Sequence, residues 1–195
     1  MKSTYIMFIA MLIGLMPIAS FSASEPSNPK QQTPWKLYVD SKEAYVMKQK
    51  MGDKVLFVDV RDPIEIMFTG FTDVVDINIP FMIADKDAWH KKKPVYAMYK
   101  NTDFEKSIAS ALKTKGLSKD TPIILMCRSG GTRGAPSAKQ LWGKGYSKVY
   151  VVTDGFEGVK IKDGQQKNWR LVNGWKNSEL PWSYKLNKQK MYLKN

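Results

Sequence analysis

Cysteine and histidine are nearly absent from this chain: its 195 residues hold one cysteine, Cys127, and one histidine, His90. A single thiol excludes any internal disulfide, the usual staple of exported domains. One Cys and one His also leave a soft-ligand metal site without enough partners, so neither a metal nor a cofactor is expected. Ser/His/Asp catalysis would have to rest on His90, which stands in Trp89-His90-Lys91-Lys92-Lys93, a run that reads as a solvated loop. Acidic residues are scarce as well. Against 31 Lys+Arg stand 18 Asp+Glu, a formal net charge of +13. Clusters occur at Lys91-Lys92-Lys93 and at Lys185, Lys188, Lys190 and Lys194. Such runs are ordinarily solvated faces; as a functional feature they steer small anions or an acidic exported protein toward the surface. No recognisable nucleic-acid motif accompanies the charge, and nucleic acid is not expected as a partner.

Long apolar runs are missing everywhere except the N-terminus. Residues 1–24 contain one charge, Lys2, an apolar run from Tyr5 to Ile18, and then Ala19, Ser20, Ser22, Ala23 and Ser24. This pattern reads as a secretory signal peptide cleaved near residues 19–24. An uncleaved anchor from Tyr5 to Ala23 would almost span a bilayer; Pro17 and the small residues favour cleavage. No cysteine lies near the cleavage region, which excludes a lipid-modified N-terminus. The expectation is a periplasmic or secreted protein with no stable membrane anchor after cleavage and a net charge of about +12 once Lys2 is removed. Residues 25–34 read as a polar linker, and 35–195 as one domain with a Trp-rich, basic C-terminal extension. About 170 residues suffice for one proper core.

The remaining pattern alternates strands and helices. Asp40 with Glu43 resembles a capping box opening a helix to about Lys50. A strand is expected at 55–60, a short helix near 63–68 and a strand near 74–79. Residues 83–103 read as an insertion rich in Lys, Asp and aromatics. Phe104, Ile108, Ala111 and Leu112 share one face of a helix that Gly116 would end. A strand then runs from Pro122 into Cys127, a helix spans roughly Gly134 to Trp142, and a last strand spans Lys148 to Val152. Alternation of this kind implies an α/β fold with a mostly parallel sheet and helices on both faces. The tail from 156 to 195 carries Trp169, Trp175 and Trp182, which either pack it on the core or wall a site.

The chemistry concentrates in Leu125-Met126-Cys127-Arg128-Ser129-Gly130-Gly131-Thr132-Arg133-Gly134. A strand ending in a thiol, a glycine-rich loop and a helix start form an anion-binding device, because small residues let backbone N–H groups converge beside a helix dipole. Surroundings of this kind favour a thiolate. In an oxidising compartment a lone thiol is a liability unless it is used.

Cys127-Arg128-Ser129-Gly130-Gly131-Thr132 resembles the C-x-x-G-x-T active-site loop of rhodanese-like sulfurtransferases. Leu56-Phe57-Val58-Asp59-Val60-Arg61-Asp62-Pro63-Ile64-Glu65 is similar to the family's first core strand. Ile77-Asn78-Ile79-Pro80 is similar to its N-I-P segment, Gly145-Tyr146-Ser147-Lys148-Val149-Tyr150 to its turn into the last strand, and Asp154-Gly155-Phe156 to a following turn. The likeness covers about residues 52–158. It implies a three-layer rhodanese-like fold and a sulfurtransferase in which Cys127 is the nucleophile. Arg128, Ser129, Gly130, Gly131, Thr132 and Arg133 would bind the substrate, a small anionic sulfur donor such as thiosulfate, and a thiol or cyanide would accept the sulfur. Asp59 and Arg61 would buttress the loop. Two departures stand out: Gly70 is followed by Phe71 where the family has Gly-His, and Glu65 lies where thiosulfate-using members have arginine. An acid there repels thiosulfate unless a loop arginine neutralises it. The loop is also C-x5-R, the signature of tyrosine phosphatases and of some arsenate reductases, although Met126 replaces their usual histidine. A non-catalytic partner-binding module is the third reading.

Overall fold

Short runs of β-prone residues, buried almost without interruption, make the centre of the molecule: β2 (Leu56–Asp59), β6 (Ile123–Met126) and β7 (Val149–Val152). Strands hidden on both faces belong to the interior of a parallel sheet. In the structure, a computed structural model that describes residues 22–193, they join β1 (Tyr38–Val39) and β3 (Ile77–Asn78) in the order β1-β7-β6-β2-β3, with every pair parallel. The expected signal peptide falls almost wholly on residues 1–21, outside the described residues. No helix among the described residues is long and apolar enough to cross a membrane.

Successive strand residues point to opposite faces, which divides the core in two. Leu56, Val58, Leu125, Cys127 and Val151 pack beneath α3 (Phe104–Thr114) and α4 (Gly134–Leu141). Phe57, Ile124, Met126 and Val152 pack against α1 (Ser41–Met51), α2 (Pro63–Thr69) and Trp175. Helices therefore cover both faces, as the alternating pattern implied.

Local signals explain where the helices begin. Asp40 accepts from the Glu43 amide at 2.8 Å while the Glu43 carboxylate accepts from the Asp40 amide at 2.9 Å, closing the expected capping box. Asp62 caps α2 by accepting from the Ile64 amide, with Pro63 at the first helical position, where no N–H is needed. The four apolar residues assigned to one face of α3 are all buried.

Three segments take a form that the sequence reading had not specified. The insertion is an antiparallel hairpin, β4 (Met82–Trp89) and β5 (Tyr96–Lys100), separate from the main sheet. The stretch 25–34, expected as a linker, is packed on the domain: the Thr33 amide donates to the Tyr38 hydroxyl, and Gln31 Nε2 donates to the Gly130 carbonyl at 3.1 Å. The tail wraps the body. Trp175 is fully buried beside Tyr45 and Phe57, and Phe71 and Ser183 form a two-way antiparallel bridge. Trp182 packs half-buried against the same core cluster, and Trp169 stays exposed, so packing on the core accounts for two of the tail's three tryptophans.

Candidate active site

Cys127 follows β6, the middle strand of the sheet, at its carboxyl end. In open parallel sheets that is where ligands bind. The residue is 2% exposed, and its Sγ lies 3.7 Å from where a Cβ on Gly134 would sit. That distance is an ordinary contact; the tight neighbour of such a Cβ would be Val151 Cγ1 at 2.8 Å, so glycine at 134 lets α4 start close against β7.

The loop after Cys127 is clamped from below by the turn that follows β7. The Cys127 carbonyl accepts from the Phe156 amide and the Arg128 carbonyl from the Glu157 amide, both at 2.8 Å. Gly155, at φ +65°, makes this fit possible; a Cβ there would fall 2.5 Å from the Cys127 oxygen and the Ser129 nitrogen. Gly130, also at φ +65°, rests its α-carbon where a Cβ would meet the Thr153 oxygen at 1.6 Å. Both positions need glycine for conformation and for space. Asp154 anchors the turn. One carboxylate oxygen accepts from the Ser41 amide and hydroxyl, the other from the Gly174 amide, tying the turn to α1 and to the tail. Burial pushes the Asp154 carboxyl above its ordinary pKa despite these hydrogen bonds.

The two loop arginines are not free. Arg133 makes a fork-to-fork pair with Glu65, Nη1 to Oε2 at 2.5 Å and Nη2 to Oε1 at 2.8 Å, with the two side chains only 11% and 17% exposed. Burial opposes ionisation of Glu65, but the Arg133 hydrogen bonds and charge, with Arg61 and Arg128 behind them, outweigh it and hold the carboxyl below its usual value. Burial likewise opposes the charge on Arg133, and Glu65, then Cys127 and Asp59, more than restore it. Arg128 pairs with Glu157 and lies 3.9 Å from Glu65. The acid at position 65 is thus neutralised by a loop arginine, the condition under which thiosulfate would not be repelled. Both guanidinium groups expected to bind the substrate already hold a carboxylate.

The other expected residues take different places. Ser129 and Gly131 are half-buried along the loop, Gly130 is buried against β7, and Thr132 is exposed at the rim. Asp59 and Arg61 form a fully buried pair one layer down. Arg61 also donates to Thr69 Oγ1 and to the Gly70 carbonyl and lies over the Phe156 ring at 4.0 Å, so it supports the loop through Phe156. Asn78 donates to the carbonyls of Asp59 and Arg61, fixing the bend after β2.

A cleft of about 410 Å³ opens beside Arg128, Thr132 and Arg133, and the hairpin supplies its far wall through His90, Lys93, Val95, Tyr96 and Met98. His90 does sit in the turn between β4 and β5, but half-buried on this cleft rather than in open solvent. A second cleft on the other side of Arg128 is lined by Glu157, Lys160, Trp169 and Arg170. Glu157, Arg170 and the hairpin residues had no motif to mark them. Among the described residues no group of three or more His, Cys, Asp or Glu side chains is placed to hold a metal ion.

Comparison with known proteins bears on this arrangement. The family model of the rhodanese-like domain matches residues 43–162. A curated relative, an uncharacterized protein of Rickettsia prowazekii, is 33% identical over 96 residues, 49% of this chain and 67% of its own length. The crystal structure of Rv0390 from M. tuberculosis shares the fold, with a TM-score of 0.51 and 24% identity over 76% of this chain and 97% of that one. The solution structure of a polysulfide-sulfur transferase homodimer from Wolinella succinogenes aligns at 22% identity over 61% of this chain and 69% of that chain, and its TM-score of 0.41 carries no weight.

Proposed function

The chain belongs to the rhodanese-like domain family, and on that premise we propose that it is an exported sulfurtransferase carrying sulfane sulfur on Cys127. The Cys127 thiolate attacks the outer sulfur of an anionic donor such as thiosulfate. The donor's S–S bond breaks, sulfite departs with the bonding pair, and a persulfide remains on the enzyme. An acceptor, cyanide or a thiolate, then attacks the terminal sulfur, and the electron pair of the broken bond returns to Cys127. No oxidant enters, and the two half-reactions give ping-pong kinetics. Backbone N–H groups of residues 128–133 meet the charge on the donor and on the persulfide, as preorganised dipoles do in oxyanion holes.

The observation that carries this reading is the Glu65–Arg133 pair. C-x5-R phosphate chemistry needs its guanidinium for the equatorial oxygens of the transferring group. Here both terminal nitrogens of Arg133 are on Glu65. Sulfur transfer asks less of that side chain, because the backbone cradle holds the anionic sulfur. Wild type should form thiocyanate from thiosulfate and cyanide, Cys127→Ser should not, and neither should hydrolyse aryl phosphates appreciably. Phosphatase turnover in wild type that collapses in Arg133→Lys, which lacks the planar fork, would reverse the assignment.

A further inference from the structure

The cleft beside the loop is larger and more mixed in character than thiosulfate or cyanide requires. At about 410 Å³ it falls in the range that takes organic molecules. Phe81, Met82, Val95, Tyr96 and Met98 make one side apolar, while Lys93 adds a positive charge to the other, where Arg128 and Arg133 are each paired with a carboxylate. Glu65, the acid among them, is already held by Arg133. The hairpin residues are not consumed by the core: Val95 is 49%, Tyr96 59% and Met98 37% exposed. Tyr96 is also held in place, its ring edge-on to Trp89 with centroids 5.4 Å apart. Exposed apolar side chains beside Lys93, which no carboxylate among the described residues pairs, next to the loop that carries Cys127, complement a ligand with both characters.

We propose that this cleft binds an organic thiol that joins an apolar body to an acid group, and that Tyr96, Met98 and Lys93 set the preference. The inference rests on the sulfur-transfer reading, in which this thiol is the acceptor. Its thiolate attacks the terminal sulfur of the Cys127 persulfide, a new S–S bond forms, the Cys127 S–S bond breaks, and the electron pair returns to Cys127. The acceptor leaves as an organic persulfide.

Two measurements on the full chain separate this claim from the reading beneath it. First, Cys127→Ser protein is titrated calorimetrically with naphthalene-2-sulfonate, which has the body and the acid but no thiol, and with methanesulfonate, which has only the acid. Saturable binding of the naphthalene compound is expected, about tenfold weaker when Lys93→Gln or Met98→Ala is added. Methanesulfonate should bind far more weakly. Second, the kcat/KM ratio for 4-mercaptobenzenesulfonate over cyanide is measured with Cys127 intact; it should fall about tenfold in each of the two substitutions. Absent binding, or affinity and ratio both insensitive to the two substitutions, would overturn the proposal. Binding as expected in a protein that forms no persulfide would support the ligand class and overturn the sulfur-transfer reading instead.

Discussion

Glu65 decides how the loop's charge is used. Its pairing with Arg133 is shielded enough that removing the acceptor charge matters to folding as well as to the site. Because its folded pKa lies below the ordinary 4.5, the carboxylate contributes stability that is present above that value and is lost as pH falls through the folded pKa. Glu65→Gln should therefore lower stability by about 1–3 kcal/mol at pH 7. Urea unfolding should show that gap closing below pH 4.5, and a gap independent of pH would contradict the assignment. The same variant releases Arg133, so its KM for thiosulfate should fall. Gly155 is the backbone counterpart. Alanine there would place a methyl group against the Cys127 carbonyl and the Ser129 amide, and should cost about 2 kcal/mol or more together with most of the activity. An active, fully stable Gly155→Ala would mean the turn does not hold the loop as described.

Elements were legible in the sequence where a local rule fixed them. The Asp40–Glu43 box, the Phe104/Ile108/Ala111/Leu112 stripe and the strand into Cys127 each needed only neighbouring residues, and each is found in the structure. The hairpin was not legible. Met82–Trp89 has no clean alternation because neither of its faces is wholly buried, and its turn contains Lys91-Lys92-Lys93-Pro94 rather than a two-residue glycine turn. The cleft shared the same fate, since its hairpin wall comes from an element that could not be read. The partners of the loop arginines lie 68 and 29 residues away, beyond any spacing rule. The resemblance had nevertheless marked Glu65 as the acid to be neutralised. For the tail, three tryptophans signalled packing without saying which of them pack. Trp175 fills the space between Tyr45 and Phe57 and donates through Nε1 to the Pro181 carbonyl at 3.0 Å. Trp175→Ala should destabilise by about 3–5 kcal/mol, whereas Trp169→Ala, at an exposed position, should stay within about 0.5 kcal/mol. Equal losses in chemical denaturation would mean the tail is not anchored as the structure has it.

At the scale of the whole molecule, the chain combines a net charge of +13 with a single thiol, the one proposed to carry sulfur. A field of that sign draws anionic donors toward the surface, and salt screens it over about 10 Å at 0.1 M. kcat/KM for thiosulfate should accordingly fall as ionic strength rises, through KM more than kcat, while transfer to a neutral thiol should be nearly indifferent to salt. Charge, cleft and clamped loop all serve one claimed event, the residence of a sulfur atom on Cys127. Intact-mass spectrometry tests that event directly. Thiosulfate should add the mass of one sulfur atom to the protein, cyanide should remove it, and Cys127→Ser should show neither change. A mass unaltered by thiosulfate, or an added sulfur that persists in Cys127→Ser, would contradict the account.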